Sequence, residues 1–213
     1  MYPPEPWQLR GQMYLSIFLV PSALLSPLPA VLPSTARPVT LAGHAVAGVA
    51  WVRYEPGGTL SYRELLSAVL VHERGRPRVT VIDIWVDDVR SRDGGRELWG
   101  IPKALAQLRI DADATGAVRA SAGTTTPIAD AVVRPRRWPG RWPLAFSVVQ
   151  ALGGRVRRTP VRGRAGLGAA AVTWRPNPQG PLGYLAGRKP VLSVAVSDFR
   201  LRFGAHSAAQ RHG

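Results

Sequence analysis

At 213 residues and 23.0 kDa the chain is long enough for one domain with a sizeable core, spanning residues 1–213. It has no cysteine, which excludes disulfides and thiolate metal sites, and its four histidines (His44, His72, His206, His212) lack ligand spacing, so neither a metal nor another cofactor is expected. A net charge of +15 invites a nucleic-acid reading, with runs such as Arg134-Pro135-Arg136-Arg137-Trp138, but arginine is spread over the whole chain without a recognition-helix, RNP or zinc-finger pattern, which favours a solvated basic face.

Met1 to Pro6 reads as an irregular proline-rich arm. Leu9, Met13, Leu15, Ile17 and Leu19 then fall on odd positions, the period of a strand over Gln8 to Val20. The apolar stretch Met13 to Leu32 is interrupted by Pro21, Pro27 and Pro29, short of the ~20 unbroken residues a membrane span needs. A cytoplasmic protein with no membrane partner is expected, a cleaved signal segment being the competing reading. Pro21 to Leu32 reads as a short helix or turn, and Val39 to Glu55 as a buried strand ending at the Gly57-Gly58 turn. Leu60 to His72 fits helix or strand by pattern; the Gly-Gly turn and the run Ala68 to Val71 favour strand, which would put Tyr62 and Glu64 on one face.

Val79 to Val86 is the clearest strand, rich in β-branched residues. Asp87 or Asp88 then caps a short helix, and Gly94-Gly95 is expected to break it. Further strands are expected over Leu105–Asp111, Gly116–Ala122, Thr124–Arg134, Leu144–Leu152, Ala165–Trp174 and Val191–Phe203, with a short helix near Leu182 to Gly187 and a frayed tail over 206–213. Short strands with turn signals and few helices predict a mainly β (α+β) fold built on a closed or nearly closed antiparallel sheet.

Lys103 stands out chemically. Of the 28 basic residues only Lys103 and Lys189 are lysines, which leaves 28 − 2 = 26 arginines. Lysine can lose its proton and form a Schiff base, which arginine cannot. An unperturbed amine has a pKa of ~10.4, and full burial lowers it by roughly 3–5 units. Two readings are open on spacing alone: a buried reactive amine, or a surface side chain whose stem lies on Trp99 or Leu105.

The segment Gly95-Arg96-Glu97-Leu98, leading into Pro102-Lys103, resembles the active-site signature of the acetoacetate decarboxylase superfamily, as do Tyr14-Leu15-Ser16-Ile17 and Tyr62-Arg63-Glu64 in their order. Acetoacetate decarboxylase is itself the familiar example of a lysine activated by desolvation or by a cationic neighbour. The resemblance implies a mostly β, cone- or barrel-like sheet, a homo-oligomer, Lys103 as Schiff-base lysine and Glu64 as the acidic residue of the pocket. Tyr62, Trp99 and Ile101 would line that pocket, and Gln12 would take the place of a carboxylate-binding arginine. The chain departs from the family pattern there, at Ala104 where a second lysine is expected, and in the apolar run Ala45 to Val52 where a second glutamate is expected.

The function so implied is a lyase that forms an imine between Lys103 and a small keto acid or ketone, for decarboxylation or related C–C bond chemistry. The alternatives are an aldolase-dehydratase or cyclase-type homologue, a non-catalytic small-molecule binder, and a basic nucleic-acid binder.

Overall fold

A computed structural model describes residues 1–25, 32–136 and 138–205; the expected tail over 206–213 and residues 26–31 of the stretch Pro21 to Leu32 lie outside them. Among the described residues thirteen strands form one hydrogen-bonded sheet. They are β1 (Trp7–Pro21), β2 (Ala36–Pro38), β3 (Thr40–Leu41), β4 (His44–Tyr54), β5 (Arg63–Glu73), β6 (Arg76–Val86), β7 (Lys103–Leu105), β8 (Gln107–Ala112), β9 (Val118–Gly123), β10 (Pro127–Pro135), β11 (Trp142–Leu152), β12 (Arg155–Pro176) and β13 (Leu192–Phe203). The α-helix α1 (Val89–Trp99) joins β6 to β7. Among the described residues no helix is long and apolar enough to cross a membrane.

Seven of the strands close on themselves in the order β11-β6-β5-β4-β1-β13-β12, because β11 also pairs with β12. All contacts around this ring are antiparallel except β6–β11, a parallel contact with a single bridged pair, Val79 and Val148. Side chains reinforce that seam: the Val81 N–H donates to Gln150 Oε1 (2.9 Å), Gln150 Nε2 donates to the Val81 carbonyl (3.1 Å) and Thr80 Oγ1 donates to the Val149 carbonyl (3.0 Å). The mainly β, cone-like expectation holds. β12 is one 22-residue strand rather than the shorter Ala165–Trp174: its first part belongs to the ring, and Ala170–Pro176 carries the β10-β9-β8 extension.

Alternation sends the two faces of the ring strands into different cores. Leu9, Ala50, Val52, Ile84, Val86, Val196 and Phe199 pack inside the ring. Phe18, Ala47, Trp51, Leu65, Val69 and Trp85 point outward into a second core, shared with Ile110, Ala120 and Val133 of the β8–β10 extension. Burial on both faces is why β4 and β5 read as near-continuous apolar runs.

The helix α1 begins where Asp88 accepts hydrogen bonds from the Arg90 and Ser91 N–H groups (2.7 and 3.0 Å). Contrary to expectation Gly94 and Gly95 do not break it; both lie in its buried face. A Cβ on Gly94 would stand 2.5 Å from the Trp7 ring, and one on Gly95 2.7 Å from Cδ of Lys103. Close packing is what demands glycine at these two positions. The helix ends at Gly100 in the left-handed region, and the Gly100 and Ile101 N–H groups return to the Arg96 and Gly95 carbonyls.

Candidate active site

After α1 the chain turns tightly about Pro102, with the Lys103 N–H donating to the Ile101 carbonyl at 2.8 Å. Arg96 Nε donates to the Lys103 carbonyl at 2.6 Å. Lys103 then pairs in parallel with Ile84 as the first residue of β7. Its backbone is held from both sides, and its stem runs against Gly95 into the ring.

Lys103 is 4 % exposed. Its Nζ donates to Glu64 Oε2 at 2.8 Å, Ser91 Oγ at 2.9 Å and the Tyr62 hydroxyl at 3.2 Å. These partners use the three donors of an ammonium. Tyr54 donates to the other carboxylate oxygen, Glu64 Oε1, at 3.1 Å, and its ring stacks on Tyr62 with centroids 4.3 Å apart. The lysine nitrogen lies 4.9 Å from the Tyr62 ring centroid, and Phe199 meets Tyr54 edge-on.

Burial alone pushes the Lys103 amine down, but the Glu64 carboxylate and the hydrogen bonds around Nζ outweigh it and hold the ammonium above its ordinary value. This corrects the expectation of a pKa depressed by burial: the opposite charge sits at contact distance. Burial and Glu64 together push the Tyr62 phenol up to about 12, against the opposing pull of Lys103, and burial keeps the Tyr54 phenol well above its usual range. Both phenols are therefore neutral donors at physiological pH.

The expected residues separate into two groups. Lys103, Glu64 and Tyr62 meet, and Ile101 is buried in the ring core while its carbonyl fixes the lysine backbone. Gln12 does not join them. It pairs across β1–β4 with Arg53, whereas Glu64 shares its rung with Val52 and Met13, so Gln12 is on the opposite face. There its amide donates to Asp198 (3.0 Å) and accepts from the Asp198 N–H (3.2 Å). Trp99 is also corrected: its indole is wedged edge-on between Trp7 and Phe203 and donates to Glu5 at 2.8 Å, a packing role. Ser91 and Tyr54 were not singled out by sequence. The signal for Ser91 was its place in the first turn after the Asp88 cap; that for Tyr54 was its parity with Val52.

Residues 21–163 match the sequence profile of the family described as acetoacetate decarboxylase (ADC), a span that contains Tyr54, Tyr62, Glu64, Ser91 and Lys103. The chain belongs to the acetoacetate decarboxylase family. No curated protein matches its sequence. Among solved structures it is similar to an acetoacetate decarboxylase from Legionella pneumophila, with a TM-score of 0.64 at 18 % identity, over 95 % of this chain and 85 % of that one. It is similar to the enduracididine biosynthesis enzyme MppR in complex with pyruvate, with a TM-score of 0.62 at 20 % identity, over 96 % of this chain and 90 % of that one. An acetoacetate decarboxylase-like enzyme from Sphingomonas wittichii gives 0.63 at 14 % identity, over 94 % and 91 %. At these identities the likeness carries the decarboxylase fold.

Proposed function

We propose that this family member is a Schiff-base-forming carbon–carbon lyase acting on a small keto acid or ketone through Lys103. The observation that carries this is the enclosed Lys103–Glu64 contact inside the ring, completed by Ser91 and Tyr62. The carboxylate takes a proton from Nζ, and the neutral amine adds to the substrate carbonyl carbon. The carbinolamine oxygen, hydrogen-bonded by Ser91 or Tyr62, leaves as water after taking a proton from Glu64. The resulting iminium accepts the electron pair of the breaking C–C bond, releasing carbon dioxide from a β-keto acid or an aldehyde from an aldol. The enamine carbon then takes a proton, and water hydrolyses the imine to regenerate Lys103. Borohydride reduction with candidate carbonyl compounds, followed by peptide mass mapping, tests this: an adduct on Lys103 is expected, and none with any compound sinks the reading.

The same reading takes residues 1–213 as one domain of a cytoplasmic homo-oligomer. Trp138, Trp142 and Phe146 are large, exposed and apolar, and we assign them to subunit contacts. Sedimentation of the purified protein checks this, a monomer at micromolar concentration being the contrary result.

A further inference from the structure

If Lys103 forms the imine, the charges around it narrow the substrate class. Two adjacent rungs of the ring face the amine. One runs Val196, Met13, Val52, Glu64, Val86. The next runs Val194, Leu15, Ala50, Leu66, Ile84 and continues across to Lys103 itself. Apart from Glu64 and Lys103 every side chain on both is apolar, and Tyr54, Tyr62 and Phe199 complete the wall with aromatic rings. Among the described residues Lys103 is the one lysine or arginine in the buried set, and Glu64 already neutralises it.

Bringing a carboxylate up to this amine sets a second anion beside Glu64 with one cation between them. That cation persists through the imine stage, because the iminium replaces the ammonium charge for charge. With an uncharged substrate the site stays neutral at every step; with a keto acid it carries a net negative charge away from solvent, which a low-dielectric interior disfavours. The nearby arginines offer no relief: Arg10, Arg162, Arg164, Arg200 and Arg202 are on the other parity of β1, β12 and β13, exposed on the outer face of the ring, Arg157 on the inner parity of β12 is ion-paired with Glu5, and Arg96 is exposed with its Nε on the Lys103 carbonyl.

We infer that the Lys103 site takes an uncharged carbonyl compound, so that the bond cleaved runs to a hydroxyl-bearing carbon rather than to a carboxylate. For a β-hydroxy ketone the step balances without a co-reactant. Lys103 forms the iminium with loss of water, and the Glu64 carboxylate takes the hydroxyl proton. The bond between the α- and β-carbons breaks, its electron pair forms the enamine, and the β-carbon leaves as an aldehyde. Glu64 returns its proton to the enamine carbon, and water releases the ketone.

The test compares levulinate with methyl levulinate, which share the ketone and differ in charge. Borohydride trapping on the wild-type protein, quantified at the Lys103 peptide and normalised to Nα-acetyl-lysine, is expected to favour the ester by at least ~10-fold, about 1.4 kcal/mol. Equal trapping, or more with the free acid, overturns the charge inference while leaving the imine reading intact. So would Lys103-dependent release of carbon dioxide from acetoacetate. No adduct at Lys103 with either compound overturns both.

Discussion

Lys103 Nζ and Glu64 Oε2 stand 2.8 Å apart with their side chains 5 % and 3 % exposed, so each supplies the counter-charge the other has lost by leaving water. Removing one partner leaves an uncompensated charge in an apolar ring. Lys103→Met is expected to cost about 3–5 kcal/mol of stability. The double variant Lys103→Met/Glu64→Leu should recover most of this, because apolar replacement of both partners removes the stranded charge. Denaturant midpoints decide: equal losses in the single and double variants would contradict the coupling.

The proton on Lys103 should respond to Glu64 in a definite direction. The carboxylate holds the amine above its ordinary value, so its neutral, nucleophilic fraction grows only as the pH rises. In Glu64→Gln burial becomes the dominant influence and lowers the pKa. The pH profile of ketone trapping at Lys103 should then move to lower pH. Linkage gives a second readout: a folded pKa above the unfolded ~10.4 means the pair's stabilisation is complete below ~10.4 and is lost as the pH rises through the folded value. Stability of the wild type should fall more steeply there than that of Lys103→Met/Glu64→Leu.

Gly95→Ala separates close packing from helix propensity. On an exposed helix the change would stabilise by roughly 0.5–1 kcal/mol. Here the added methyl meets Cδ and Cε of Lys103 at 2.7 and 2.9 Å, so the lysine stem must shift. A misplacement of ~1 Å costs on the order of 100-fold in reaction rate. Trapping at Lys103 should fall by about that factor while the circular dichroism spectrum stays native; unchanged trapping would show that the stem has room.

Asp83 lies on the outer side of β6, paired with Ser67, whose hydroxyl is 2.6 Å from that of Tyr184. Its Oδ2 is buried without a hydrogen-bond partner, and burial pushes its carboxyl up to about 6. The ionised form is therefore a liability: the penalty is absent below ~4, grows as the pH rises to about 6 and is complete above, amounting to about 3 kcal/mol at most. Asp83→Asn should raise the melting temperature at pH 7.5 and lose that advantage below pH ~4. A variant destabilised at pH 7.5 would refute the sign.

The strands were legible where one residue pattern had one explanation. Val79 to Val86 announced β6 by its β-branched residues, and Tyr62 and Glu64 were placed together by alternation, as their common contact with Lys103 bears out. Gly94-Gly95 misled because local propensity cannot register a tryptophan and a lysine stem arriving from elsewhere in the chain. Gln12 was assigned by order along the chain, which does not reveal parity; one residue's difference from Met13 turns a side chain to the other face. The charge state of Lys103 was beyond sequence for a similar reason, since burial and the Glu64 contact act in opposite senses and only their distance settles which prevails.

The β6–β11 seam has a consequence for traffic. β5 occupies one edge of β6, so β11 at Val79 and β7 at Ile84 to Val86 are successive neighbours along the other. The stitch between β11 and β6 is largely the Gln150 amide gripping Val81. If that grip lets go, the edge beside Lys103 is bared to water and small solutes while the other staves of the ring stay fastened. Deuterium uptake at the Val81 amide, faster in Gln150→Ala, would time how often the door stands ajar.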